Sequence, residues 1–221
     1  MNRNLFTWPK KMVENIKRMD KIGRIIIIDN ASTAEGTLDW YSSDKDLIIY
    51  RSKENLGNTG PWYSGIIKSF SSTSYIVTDP DLDLSIVPSD CMVHMRNVLI
   101  NRPDLEKVGL SLLTQDVPHD SIYFNYELEN LYWRCPKANW TFIGAAIDTT
   151  FCFYSASRLN DYKICGERLL PPYTARHIPW YYNSYRLSLD QEYIYYLKTS
   201  SHASSTKRMI DQFELVDLEN L

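Results

Sequence analysis

The sequence predicts an α/β fold, a single domain with a mostly parallel, twisted central sheet flanked by helices. Strand-like and helix-like segments alternate through residue 78, which is the grammar of a sheet built with crossover helices. The run Arg24–Ile28 shows little polar alternation, as in a strand covered on both faces. The chain has 221 residues, 44% hydrophobic and 23% charged, enough to bury one large core or two small ones.

The elements follow in order. Pro9–Met19 reads as an amphipathic helix, with Met12, Val13, Ile16 and Met19 at helical spacing and Lys10, Lys11, Glu14, Lys17 and Arg18 on the other face. Arg24–Ile28 is the first strand and ends in Asp29-Asn30-Ala31-Ser32-Thr33, which is loop and helix-cap chemistry. Thr37–Tyr41 reads as a short helix and Asp46–Tyr50 as a second strand. The breaker-rich loop Glu54–Pro61 precedes a helix, Trp62–Ser69, and then the strand Tyr75–Thr78. Beyond it, Cys91–Asn101 reads as a helix, Lys107–Leu113 as a strand and Glu127–Arg134 as a helix. Phe142–Tyr154 holds two strands. Residues 160–179 read as irregular, with Pro171-Pro172 and Pro179. Asp190–Lys198 is a Tyr-rich helix with Ser188 as its cap and Glu192 as an early acidic residue. Residues 199–221 read as a polar, mobile tail.

The net charge of −3 makes no electrostatic case for nucleic acid or an anionic membrane surface. The longest aliphatic run, Ile25–Ile28, cannot span a bilayer, and the first residues lack the apolar core of a signal peptide. Cys91, Cys135, Cys152 and Cys165 show no C-x-x-C spacing and read as buried thiols in a reducing, cytoplasmic setting. The sixteen tyrosines suit a Tyr-rich core, although tyrosine faces also pack against sugar C–H groups.

The chemistry concentrates in Tyr75–Asp83. A short β-branched and aromatic run ends in Asp79, Asp81 and Asp83 at alternate positions. A strand does not bury three unpaired carboxylates cheaply, and Pro80 has no N–H for a sheet ladder, so the strand stops here. The carboxylates then project from a strand's carboxyl end, where open α/β sheets bind ligands. Clustered hard oxygens suit Mg²⁺ or Mn²⁺ held with substrate phosphates; a solvated acidic turn is the bland alternative. Asp29 sits at another strand end and either accepts a hydrogen bond from a base N–H or caps a helix. Asn55, Gly57 and Asn58 lie where a backbone approaches a flat or anionic group closely, with Gly57 the place for a positive φ.

In this order, Ile27-Ile28-Asp29-Asn30-Ala31-Ser32, Glu54-Asn55-Leu56-Gly57 and Val77-Thr78-Asp79-Pro80-Asp81 resemble the motifs of inverting nucleotide-sugar glycosyltransferases of the GT-A fold. Asn2-Arg3-Asn4 resembles the end of that family's first loop. Ile147–Phe151, Pro172-Tyr173 and Arg176–Tyr181 resemble a subgroup of small bacterial and viral members. The resemblance spans about residues 2–198 and departs from the family in the strand that should feed the first loop, where Met1 stands.

The resemblance implies a GT-A-like domain over residues 1–198, with a nucleotide-binding half at about 1–85 and an acceptor-side half at about 86–198. It implies a metal-dependent hexosyl- or deoxyhexosyltransferase that moves sugar from a UDP-sugar to a glycan hydroxyl with inversion. Asp29, Asn30, Asn55, Gly57, Asn58 and Asp79 would contact the nucleotide, and Arg176 the pyrophosphate. Asp79, Asp81 and His177 would hold Mn²⁺ or Mg²⁺, with Asp83 in support or simply solvated; a lone histidine beside Pro and Trp is otherwise structural. Asp148 is the first choice for the base that deprotonates the acceptor, with Asp161 and Glu167 in reserve. Trp62, Trp140, Trp180 and Tyr181 are candidate sugar platforms, with core packing the favoured reading for each one singly. The location implied is cytoplasmic (host cytoplasm for a viral member), with further domains in a longer parent chain. A nucleotidyltransferase or a non-catalytic sugar- or nucleotide-binding module of the same fold remains as the alternative.

Overall fold

The computed structural model describes residues 1–20, 23–70, 73–156 and 166–200. Its first half keeps the predicted alternation. Helix α1 (Thr7–Ile16) buries Met12, Val13 and Ile16. Strand β1 (Ile26–Asp29) pairs in parallel with β2 (Ile48–Arg51) across α2 (Glu35–Ser43). The helix predicted over 62–69 is shorter and broken. It forms α3 (Gly60–Tyr63) and a 3-10 turn (Ile67–Phe70), with Gly65 between them at φ +74°.

Strand β3 (Tyr75–Val77) leads through the aspartate segment into β4 (Leu82–Asp83), followed by α4 (Cys91–Asn101). The predicted strand 107–113 divides at Leu110 into β5 (Lys107–Gly109) and β6 (Ser111–Leu112). After α5 (Tyr126–Trp133) come the hairpin β7 (Lys137–Ala138) and β8 (Thr141–Phe142), and then β9 (Cys152–Tyr154). Residues 166–177, expected to be irregular, hold β10 (Glu167–Leu169) and β11 (Thr174–His177). Two helices, α6 (Ser184–Leu189) and α7 (Gln191–Thr199), close the described chain. The tail from 201 onward lies outside the described residues.

The expectation of a mostly parallel sheet is corrected. The strands form a two-stranded sheet β1-β2, a six-stranded sheet β3-β9-β5-β10-β8-β7 and a three-stranded sheet β4-β11-β6. Among the described strands, β1·β2, β5·β10 and β6·β11 pair in parallel and the other five strand pairings are antiparallel. The reason is β9, which inserts between β3 and β5 and runs against both. This pairing also joins the expected nucleotide-side and acceptor-side halves in one sheet.

Charge hid β10 from a reading of sequence pattern. Glu167 and Arg168 look like solvent-facing residues, yet both are buried. The Arg168 guanidinium lies 2.9 Å from Glu129 and stacks 3.8 Å from the Tyr132 ring centre. Glu167 takes Arg102 at 3.3 Å and the Thr141 hydroxyl. Buried charges survive when paired and hydrogen-bonded.

The buried apolar residues form four clusters, the largest of which holds Met12, Leu82, Met95, Val108, Leu110 and Leu169. Several helix starts are capped from far along the chain. Asn4 Oδ1 accepts from Thr33 and Ala34 N–H at the start of α2, and Glu192 of α7 accepts from Thr7 N–H at the start of α1. Asp190, not Ser188, caps α7, accepting from Tyr193 N–H at 2.8 Å.

Candidate functional site

Three chain segments meet where β3 ends. Asn2 pairs in parallel with Asp29, its N–H donating to Ile28 C=O and its C=O accepting from Asn30 N–H, each at 2.8 Å. The Met1 ammonium donates to Thr78 C=O at 2.9 Å. Residues 1–4 therefore lie between the ends of β1 and β3, beside the aspartates.

The first loop and the glycine loop are tied together. The Asn30 side chain donates to Gly57 C=O at 3.0 Å and accepts from Leu56 N–H at 3.4 Å. Asn55 accepts from Gly57 N–H at 3.0 Å, and Gly57 has φ +66°, the left-handed conformation expected for it. Asn58 is exposed beside it. Asp29 is fully buried. Its carboxylate takes Ser32 N–H and hydroxyl, the Tyr41 hydroxyl at 3.3 Å and Arg51 Nε at 3.2 Å. A base N–H would have to displace one of these donors. The residue capping α2 is Ala34, not Asp29.

The carboxylate cluster adds two further segments to the end of β3. Asp79 follows β3, Asp81 precedes β4, and Asp148 comes from the loop before β9. His177 ends β11, which lies against β4 with His177 opposite Leu82. Asp79 accepts from the Thr149 hydroxyl at 2.7 Å, and Asp148 from the Thr150 hydroxyl at 2.9 Å. His177 Nε2 stands 3.7 Å from Asp81 Oδ1, too long for a hydrogen bond, and its Nδ1 is buried without a partner.

The electrostatics follow from this crowding. Burial first, then the charges of Asp148 and Asp81, push Asp79 up to about 7. Burial pushes Asp81 up to about 6, with Asp148 adding in the same direction. Burial lowers His177, against the pull of Asp79, Asp148 and Glu129, which favours the neutral imidazole. These are carboxylates short of positive charge, and perturbations of this kind gather at functional sites.

Among the described residues no group of three or more His, Cys, Asp or Glu side chains forms a ready-made metal cage. The donor set fits a different arrangement. Mg²⁺ is commonly held by one or two carboxylates and completes its shell with substrate phosphates and water. Asp79 and Asp81 are the carboxylates available on those terms, with the Nε2 of His177 beside Asp81.

Arg176 and Asp83 do not join this cluster. Successive side chains of a strand point to opposite faces, so with His177 beside Asp81, Arg176 points the other way. It donates to Asp116 at 2.7 Å and lies 3.5 Å from Asp83. Glu167 is withdrawn as a reserve base, because its carboxylate is held in the core by Arg102 and Thr141. Asp161 lies outside the described residues.

Two residues of the site had no role assigned from sequence. Thr149 bonds Asp79, and Lys107, only 1% exposed, donates from Nζ to Asp148 C=O at 2.6 Å and to the Tyr154 hydroxyl at 3.3 Å. A signal for Lys107 exists: it opens the apolar run Val108-Gly109-Leu110, where a surface lysine is out of place. Gly109 lets the Asp148 loop cross this strand. A Cβ there would sit 2.4 Å from Ile147 Cδ1 and 3.0 Å from Thr150 C=O.

No protein-family model matches the sequence, and no curated protein matches it. Thirteen solved chains resemble the structure. One is the crystal structure of S. aureus TarS, at a TM-score of 0.41 and 11% identity, covering 71% of this chain. This chain spans 27% of that one, and nothing about activity follows from a likeness so distant. No helix among the described residues is long and apolar enough to cross a membrane.

Proposed function

We propose that this protein is a metal-dependent glycosyltransferase that moves a sugar, with inversion, from a uridine- or thymidine-diphosphate sugar to a carbohydrate hydroxyl. The reading rests above all on the meeting of Asp79, Asp81, Asp148 and His177 at the ends of β3, β4 and β11. Asp79 and Asp81 are raised well above the ordinary carboxylate range. A site of that kind gains most from a cation that brings its own anionic partner. The Asn30–Gly57 tie, with a left-handed glycine at its tip, offers backbone for the nucleotide beside it.

In this reading Asp79, Asp81 and His177 are the residues that would hold the ion. The ion's contribution when bound is to neutralise the charge that develops on the departing nucleoside diphosphate. Thr149 keeps Asp79 oriented. Asp148, half-buried, takes the proton from the acceptor hydroxyl as its oxygen bonds the anomeric carbon and the bond to the diphosphate breaks.

The test is calorimetry with UDP-glucose, TDP-glucose and ADP-glucose, each with and without Mn²⁺. Uridine or thymidine preference together with Mn²⁺ dependence supports the proposal. Equal binding of the adenosine compound, or binding indifferent to Mn²⁺, rules it out.

A further inference from the structure

We propose that the tip of the β7–β8 hairpin is a binding platform for neutral oligosaccharides, built on Trp140 and separate from the carboxylate cluster. Four aromatic side chains are candidate sugar platforms by type: Trp62, Trp140, Trp180 and Tyr181. Trp180 is buried, Trp62 is half-buried against Tyr154, and the Tyr181 hydroxyl is bound to Asp116. Trp140 is 64% exposed.

Its backbone makes that exposure unusual. The two residues at the hairpin tip, Asn139 and Trp140, both have positive φ, +49° and +72°. Turns of this form favour Asn-Gly, because a glycine adopts the second position without strain. A bulky residue there is an outlier that the surrounding structure must hold in place. It is held: Trp140 C=O accepts from Leu170 N–H at 2.8 Å, and Thr141 Oγ1 donates to Ala138 C=O at 3.0 Å. An indole kept in a strained place gains little burial in return, and that points to a role in binding.

The neighbours decide the ligand class. The His94 ring meets Trp140 edge-on, with centres 5.5 Å apart, and stacks on Tyr173 at 4.2 Å and 8°. The Tyr173 hydroxyl donates to Asp90 Oδ2 at 3.2 Å, and Asp90 is exposed. An open indole offers a face for sugar C–H groups, and the exposed Asp90 carboxylate at the far end of the His94–Tyr173 stack offers an acceptor for hydroxyls. Burial holds His94 below its ordinary range, and the two charged side chains flanking the platform, Asp90 and Lys137 at the base of the hairpin, are of opposite sign. With those charges balanced, nothing in the platform selects for uronic or phosphorylated sugars. Tyr173 directly precedes β11, whose far end carries His177, about 13 Å further along the strand. The platform does not depend on the reading of the carboxylate cluster and is tested without nucleotide or metal.

The experiment is saturation-transfer NMR with cellotriose, chitotriose and maltotriose on wild type, Trp140→Gly and Asp90→Asn, with a thermal melt of each. At least one trisaccharide is expected to bind wild type, more than tenfold more weakly to Trp140→Gly and less tightly to Asp90→Asn. Trp140→Gly is also expected to melt about 2–4 °C higher, because glycine relieves the positive φ. Loss of binding in a more stable protein separates recognition from folding. The proposal falls if none of the three binds wild type, or if Trp140→Gly binds them equally. It also falls if Trp140→Gly converts a dimer to a monomer without touching sugar binding, which would make the ring a self-association contact.

Discussion

Lys107 Nζ donates to the backbone carbonyl of Asp148 at 2.6 Å, joining the first residue of β5 to the loop that carries the proposed base. The ammonium is almost wholly buried and also meets the Tyr154 hydroxyl. Cys152 Sγ donates to the same carbonyl at 3.2 Å, and Gly109 lets the loop lie directly on the strand. The position of Asp148 is thus set from below, by groups that meet no substrate in the proposed reading.

Lys107→Met keeps the aliphatic stem and removes the donor. A hydrogen bond from a charged group contributes about 1.5–3 kcal/mol, and a loss of that size is expected in urea unfolding. Because the loop is released with it, turnover should fall while Mn²⁺ affinity at Asp81 changes little. Stability within ~0.5 kcal/mol of wild type would show that the lysine does not anchor the loop.

Asp81→Asn preserves size and removes charge. Groups that only support a metal ligand already cost about 10–100-fold in affinity when lost, so Mn²⁺-assisted binding of UDP should weaken by at least that much. The variant should fold, since an amide is cheaper to bury than this carboxylate. Unchanged Mn²⁺ affinity by calorimetry at fixed pH removes Asp81 from the metal site. His177→Ala should show a smaller effect of the same kind.

Asp79 gives a pH signature. Its pKa rises from an ordinary 3.8 to about 7 on folding, so between those values the folded state binds more protons than the unfolded one. Stability is then fully present below about pH 4 and is lost as pH rises toward 7. Asp81, raised to about 6, acts with the same sign. Melts of wild type without metal should fall across this window relative to Asp79→Asn, and saturating Mn²⁺ should flatten the difference. Parallel curves for the two proteins would show that Asp79 is not strained in its charged form.

Asp148→Asn should bind the donor normally and transfer sugar about 10²–10⁴-fold more slowly, the usual loss for a missing general base. Rapid-quench turnover beside donor calorimetry separates the two effects. Near-normal turnover would move the role elsewhere, and Asp161 would be the next residue to replace.

Much of the local structure was legible in the sequence. The strands before Asp29 and Asp79, the positive φ at Gly57 and the helix Cys91–Asn101 all follow from residues within a turn of one another. The convergence of Asp79 and Asp81 was also legible, because Pro80 stops the strand where alternate carboxylates begin. What the tertiary structure decided are choices between distant partners. Strand direction depends on which strand inserts beside β3, and β9 does so from more than seventy residues away. The charged pair Glu167-Arg168 lies in a stretch that reads as irregular until Arg102 and Glu129 arrive to neutralise it. Asp29 reads as open to a ligand until Arg51 and Tyr41 close on it. Backbone preference and turn chemistry act within a few residues and leave their mark in the local sequence. The pairing of strands and buried charges is a comparison among all possible partners, and only the folded chain makes it.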